Sequence, residues 1–410
     1  MIRRVLVACI AAVVPLAVSA VPVQAAPTPI VIWADATRAP VLQAAFAKGY
    51  LGHPVTVVTK DVTNNANVIR DDLKAVTKKK NAPDIIWADA AWTGDLASLS
   101  LIVPMPMSGS LRSQFPKNVL AGFRYASQDW GLPVQSENVA LVTNAQLVSK
   151  PVQTFAALSK KALALKAKGQ ADVGLAVAQG PDGYAYFMEP LFSGLGGYFF
   201  GTDAQGNEDP ADVGLTSKAF RKNAGLIDTW NSSGLINSAV DVEAAKAAFV
   251  AGKAPFWITG PWDRSTLKSL TFKTFIGAVP NIVTGQVPAP FLGVRGFMVT
   301  SWADQHGVLD DSLKLVRKQL SGAQIQGKIA GLTERTPANV KAPMGKLAAA
   351  FKGAGVQGTP YPNIPQAAAV WKPLGKAWAV STSGPEATPA KTAFKAAQDE
   401  VTAALATPAQ

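Results

Sequence analysis

Three carboxylates and a set of indoles are the side chains of this 410-residue chain best placed to do chemistry. Asp35, Asp89 and Glu137 each follow a short apolar run with strand character, at 30–33, 84–86 and 130–133. Ten Trp accompany only six Tyr. A carboxylate pair such as Asp89 and Glu137 can cleave a glycosidic bond, one group as acid and the other as base or nucleophile. The same oxygens can simply accept hydrogen bonds, while flat rings supply stacking surface. The rest of the inventory favours holding a ligand over transforming it. The single Cys, Cys9, lies in a segment read below as removed, so no disulfide, Cys-based metal site or Cys nucleophile is expected. His53 and His306 are the only histidines, which rules out a His-rich metal centre. Ser265-Thr266-Leu267-Lys268 has the S-x-x-K spacing of penicillin-binding enzymes, but no S-D-N or K-T-G follows. The glycines at 194–197 lack the G-x-x-x-x-G-K of a phosphate loop. Residues 203–209 lack the alternating ligands of a calcium loop.

The elements that must position these residues alternate. The runs 30–33, 54–58 and 84–86 read as strands, with helical spacing at 39–46 and 68–76 between them. That order predicts an α/β chain with a mainly parallel sheet covered by helices. A second segment starts at Thr154, which can cap a helix whose Phe155, Leu158, Ala162 and Leu165 share one face. Strand character returns at 173–177, 255–258 and 293–300, a polar loop or hairpin covers 201–210, and helices are expected over 217–230, 242–249 and 365–404, the last interrupted by a loop at 381–389. Trp230, Trp257 and Trp378 fall inside these patterns and are expected in the core. Two lobes result, with no flexible linker between them.

Residues 1–25 have the form of a secretory signal peptide. Arg3 and Arg4 precede the apolar run 5–16, and Val23-Gln24-Ala25 places the cut after Ala25. Leu6-Val7-Ala8-Cys9 resembles a lipid-attachment motif, but it leaves too few apolar residues before it. The run is also too short to span a membrane. An exported protein is expected, in the periplasm or in the outer envelope of an organism without an outer membrane. The formal charge of +12 falls to +10 once Arg3 and Arg4 are gone. The lysines are spread among Ala-rich helical stretches, and the run 78–80 reads as a solvated helix end, so nucleic acid is not an expected partner.

Several blocks then carry a resemblance. They are APDIIWAD at 82–89, GLPV at 131–134 with Glu137 and Asn144, Pro190-Leu191 with GGY at 196–198, Ala247-Ala248-Phe249 with Gly252 and Gly260-Pro261-Trp262, and PNIPQ at 362–366 with Trp371. In this order and spacing the chain resembles the extracellular solute-binding proteins of ABC sugar importers, in the maltose/maltodextrin-binding branch. The resemblance implies a two-lobed periplasmic-binding-protein fold with the ligand in a cleft at a multi-strand hinge. The N-terminal lobe would take 26–135 plus 297–338 and the C-terminal lobe 139–290 plus 340–410. Hinge segments would lie near 134–140, 289–297 and 336–342.

The same resemblance implies the site. Tyr186, Trp262 and Trp371 match stacking aromatics, and Glu137 matches a ligand-binding acid. Asp35 and Arg38 fall in a sugar-contacting loop, where Arg38 replaces a Lys and Thr37 an acid. Asp89 is an expected hydroxyl acceptor. Ala91-Trp92 stands where the branch carries an Asp-Arg pair, so Trp92 is expected to offer a stacking face, and Tyr184 lies near a further family acid. The implied ligand is a maltose- or maltodextrin-like oligosaccharide. The implied protein partners are the permease subunits, with the binding protein itself a monomer. No cofactor, metal or catalysis is implied. Another small solute, a glycoside-acting enzyme using Asp89 and Glu137, and a secreted adhesin are the alternatives.

Overall fold

β-branched and apolar runs separated by amphipathic helices build two large sheets, each with its own core, besides two two-stranded ribbons. The computed structural model describes residues 27–406; the expected leader, with Cys9 and the cut after Ala25, lies outside them. The first sheet has seven strands. Its order is Thr336–Pro337, Leu132–Glu137, Phe291–Val299, Ile85–Asp89, Ile30–Asp35 and Val55–Lys60, with Thr359–Pro360 also paired to Phe291–Val299. Ile30–Asp35 runs parallel to both neighbours, as the strand–helix–strand spacing predicts. Phe291–Val299 runs antiparallel to Ile85–Asp89 and to Leu132–Glu137.

The second sheet holds Thr274–Gly277, Ala140–Asn144, Phe256–Thr259 and Leu175–Val177. Only its last two strands are parallel. The α/β two-lobed class is therefore the one observed, with a refinement. Parallel pairing joins Ile30–Asp35 to its two neighbours and Phe256–Thr259 to Leu175–Val177, whereas the long strand Phe291–Val299 pairs antiparallel with Ile85–Asp89 and Leu132–Glu137 and parallel only with the short Thr359–Pro360.

Isoleucines at 30, 32, 85 and 86 pack with Val294 and Phe297 in the first core. Phe192, Phe220, Phe256, Trp378 and Phe394 anchor the second. Burying each such side chain is worth roughly 1.5–3 kcal/mol. Trp230, Trp257 and Trp378 are buried, as expected. Thr154 caps the helix Phe155–Ala167 by accepting the Ala157 N–H at 3.1 Å, and the four residues of its apolar face are buried. The helix expected over 217–230 is two, Lys218–Asn223 and Gly225–Ser232, interrupted where Gly225 lowers helix propensity. Both histidines tie segments together. His306 Nδ1 meets Asp84 Oδ1 at 2.6 Å, and His53 Nε2 meets Asp311 Oδ2 at 3.1 Å.

The sheets communicate through few passages. Only Asn138 and Val139 separate Leu132–Glu137 of the first sheet from Ala140–Asn144 of the second. The chain returns between Gly277 and Phe291. Phe291 packs in the second core while Leu292 onward packs in the first, so one strand belongs to both. After Pro337 the chain leaves again, and Thr359–Pro360 touches the first sheet before the helix Ala368–Ser381 enters the second core. Among the described residues, no helix is long and apolar enough to cross a membrane.

Candidate functional site

Strand ends of the first sheet gather a chain of ion pairs. Arg295 Nε donates to Asp89 Oδ2 at 3.1 Å, and Arg295 Nη2 lies 3.7 Å from Glu137 Oε1. Arg335 Nε donates to Glu137 Oε2, and the Tyr361 hydroxyl donates to Asp89 Oδ1. Asp89 also accepts the Ala91 N–H at 3.1 Å, which starts the turn Ala90–Trp92. Two positive and two negative groups thus balance. Burial would lower the Arg295 pKa, but Asp89 and Glu137 outweigh it and raise it, so the guanidinium stays charged.

Backbone detail puts Arg295 there. The strand Phe291–Val299 pairs Arg295 with both Asp89 and Gln135, then slips one residue so that Gly296 faces Pro133. Such a bulge redirects side chains locally. A Cβ at Gly296 would stand 1.9 Å from the Leu132 carbonyl oxygen, so only glycine fits the slipped register.

The aromatic half comes from the second lobe and the returning segment. Tyr186 sits in the first turn of the helix Ala185–Gly194, Trp262 in the turn Pro261–Asp263, and Trp371 near the start of the helix Ala368–Ser381. All three are half-buried, which leaves ring surface accessible. Ring centroids lie 6.0 Å apart for Tyr186 and Trp262, 6.4 Å for Tyr186 and Tyr361, and 6.3 Å for Tyr361 and Trp371. Phe291 packs 5.5 Å from Trp371. Gly183, at φ +69° and with its Cβ position only 1.8 Å from the Gly375 carbonyl oxygen, lets the Tyr186 helix abut the Trp371 helix. Tyr361 joins the halves, with its hydroxyl on Asp89 and its ring among the aromatics. Burial, reinforced by Glu137 for Tyr186 and by Asp89 for Tyr361, pushes both phenols well up, so both remain hydroxyl donors. The arrangement offers apolar ring surface beside fixed acceptors and donors.

The expected residues separate into three groups. Asp89, Glu137, Tyr186, Trp262 and Trp371 converge as described. Asp35 and Arg38 are buried and mutually engaged. Asp35 Oδ1 accepts the Thr37 and Arg38 N–H groups at 2.9 and 3.0 Å, and Arg38 Nη1 lies 3.3 Å from Asp35 Oδ2. Arg38 Nη2 reaches Thr333 Oγ1 at 3.2 Å, while the guanidinium lies 5.3 Å from the Trp87 ring centre. Burial lowers its pKa despite Asp35. Trp92 is only 6% exposed and its Nε1 donates to Asn67 at 3.0 Å, which leaves little face for stacking. Trp92, Asp35, Asp89 and Arg295 line a cavity of about 80 Å³, well below the roughly 300–1,000 Å³ of ligand pockets. Tyr184 is 45% exposed and packs edge-on to Phe187 at 4.7 Å, and Phe187 in turn packs 5.7 Å from Trp262 and 6.2 Å from Tyr186, so Tyr184 borders the ring cluster without touching its three expected rings.

Sequence reasoning missed Arg295, Arg335, Phe291 and Tyr361. Arg295 had a signal, being a lone charge between apolar neighbours in the strand 291–299. Tyr361 directly precedes the PNIPQ block. Arg335, in a loop, had none.

A two-lobed α/β fold with a polar and aromatic cluster between the lobes is the form of a solute-binding protein. A model of the bacterial extracellular solute-binding protein family matches residues 33–312, and the chain belongs to that family. It is 23% identical to a galactooligosaccharide-binding protein of Bacillus subtilis over 87% of this chain and 85% of that one. It is 26% identical to a maltooligosaccharide ABC transporter solute-binding lipoprotein of Streptococcus pneumoniae over 87% and 83%. Among solved structures, a cyclo/maltodextrin-binding protein in complex with maltotetraose superposes with a TM-score of 0.79 at 20% identity, covering 95% of this chain and all of that one. An extracellular solute-binding protein of Staphylococcus aureus in complex with maltose gives 0.78 at 23%, covering 92% and 98%.

Proposed function

We propose that this protein captures an oligosaccharide of the maltodextrin type in the interlobe cleft and delivers it to the permease subunits of an ABC importer. The observation that carries this reading is Tyr361 joining two complementary surfaces, an arginine-organised carboxylate pair on one lobe and a ring cluster on the other. Sugar rings present apolar C–H faces to Trp262, Trp371 and Tyr186, while their hydroxyls meet Asp89, Glu137 and Arg295. The relatives' ligands, maltooligosaccharide and galactooligosaccharide, support a saccharide of this size class.

In this reading the lobes divide at 26–135 plus 297–338 and 139–290 plus 340–410, and the passages near 134–140, 289–297 and 336–342 are the hinge. Asp35 and Arg38 support the hinge-side wall, Trp92 is core, and Tyr184 lies at the rim of the ring cluster through Phe187. A sugar held by one lobe gains its second set of contacts only on closure, so it shifts the open–closed population by that differential affinity. Hinge closure of periplasmic binding proteins is a standard case of this behaviour. The protein acts outside the cytoplasm, as a monomer, with no cofactor.

Asp89 and Glu137 also raise the glycosidase reading. Their oxygens are engaged by Arg295, Arg335, Tyr361 and the Ala91 N–H, an arrangement that favours two fixed acceptors over an acid and a base. Calorimetric titration with maltose, maltotriose, maltotetraose and galactooligosaccharides should give saturable binding for at least one series, with no reducing ends released on prolonged incubation. Hydrolysis by pure protein would support the enzyme, and no binding by any saccharide would defeat the transport reading.

A further inference from the structure

A pocket of about 530 Å³ lies where the hairpin of Phe200–Thr202 and Glu208–Val213 meets the turn 124–126 and the segment 359–366. Both lobes contribute to it. Asn207 Oδ1 accepts the Ser127 N–H at 3.0 Å, and Asn363 Nδ2 donates to the Gly122 carbonyl at 2.7 Å while its N–H reaches Glu208 at 3.2 Å. The pocket shares Phe291 and Tyr361 with the cleft, and Tyr125, Tyr198 and Phe199 add further rings.

Its carboxyls are unlike those of the cleft. Glu189, on the helix Ala185–Gly194, is only 4% exposed, and its side chain has no hydrogen-bond or ion-pair partner among the described residues; Oε2 is fully enclosed. Burial alone pushes its pKa well up. Glu208 is half-buried, and burial raises it to about 7. Arg124 is the one cationic residue in the lining, and it pairs with neither. A buried carboxyl left without a donor or a counter-charge is unfavourable unless something else supplies one. Among the described residues no cluster could hold a metal ion. Aromatic faces together with carboxylates suit an organic cation, because the ring quadrupole and the acids both attract positive charge.

We propose that this pocket is a second ligand site, which takes a protonated organic amine between Glu189 and Glu208 and against the surrounding rings. The amine brings its own charge, so a protonated Glu189 releases its proton to solvent as the ammonium N–H groups bond to the carboxylate.

The test is calorimetry on the full-length protein at pH 7.5 with putrescine, spermidine and glucosamine, using glucose and matched NaCl as controls. At least one amine should bind saturably, with an enthalpy that varies with the buffer's ionisation enthalpy as protons are released. Glu189→Gln and Glu208→Gln should each weaken that binding by tenfold or more while leaving maltodextrin binding measurable. If Glu189→Gln does not fold, Glu208→Gln makes the same comparison. Absence of amine binding, equal binding by both variants, or glucose matching glucosamine would each overturn the proposal. These outcomes are independent of whether the cleft binds a saccharide.

Discussion

The cleft and the pocket beside it use the same two residue types, carboxylates and aromatic rings, to opposite electrostatic effect. In the cleft each carboxylate has an arginine: Asp89 meets Arg295, and Glu137 meets both Arg295 and Arg335. In the neighbouring pocket, among the described residues, the Glu189 side chain has no hydrogen-bond or ion-pair partner and Glu208 has only backbone N–H groups. The difference teaches what a buried acid is for. With a guanidinium beside it, it is a fixed acceptor whose orientation is set before a ligand arrives. Without one, desolvation dominates, and the group holds a proton or awaits a cation.

The comparison breaks most severely at Arg295. Arg295→Ala leaves Asp89 without its cation and weakens the hold on Glu137. Removing one partner of a buried pair costs about 3–5 kcal/mol. Arg295 retains 29% exposure, so denaturant unfolding should show a loss near the low end of that range. A loss under 1 kcal/mol would mean that the cleft carboxylates are solvated and the contrast is unreal.

The pocket side should appear as a pH dependence. Glu208 rises from 4.5 to about 7 on folding, so between those values the folded form keeps a proton that the unfolded chain has released. The stability contributed by protonated Glu208 is present below about 4.5 and is lost as pH climbs to 7, amounting to up to about 3 kcal/mol. Glu208→Gln should flatten that part of the stability-versus-pH curve. An unchanged slope would show that the pocket is open to water.

Two smaller effects sharpen the cleft. Trp371→Ala should weaken saccharide binding by about 1–3 kcal/mol in protein that calorimetric unfolding shows to be folded at the titration temperature. Tyr361→Phe keeps the ring and removes the hydroxyl on Asp89, and should cost about 1.5 kcal/mol of stability, the low end for a hydrogen bond to a charged group. Equal effects from Tyr361→Phe and Tyr361→Ala would mean that the ring contributes nothing.

How far the sequence reveals this arrangement depends on whether a residue's partner is local. Asp89 and Glu137 are legible because each closes an apolar strand, and a strand end in an α/β sheet points toward the ligand crevice. Trp262 and Trp371 are legible through the short blocks around them. Arg335 pairs with Glu137 across 198 residues, and nothing near it in the chain announces that contact. The strand bulge that aims Arg295 depends on Gly296 approaching Leu132, a contact made only after the sheet forms. Trp92 shows the converse. Its position suggested an open ring face, but the side chain fills the first core because Asn67, 25 residues earlier, folds over to accept its indole N–H. In the second sheet strand direction was hidden too, since it follows from where the chain crosses between lobes and not from local periodicity.

In the proposed function, rings of one lobe and arginine-held carboxylates of the other grip a saccharide together. Intrinsic tryptophan fluorescence, titrated with maltotetraose for the wild type and for the Trp262→Ala/Trp371→Ala double variant, tests it most directly. A saturable emission shift is expected in the wild type, with binding at least a hundredfold weaker in a folded double variant. A wild type that responds to no saccharide, or a double variant that binds as tightly, would contradict it.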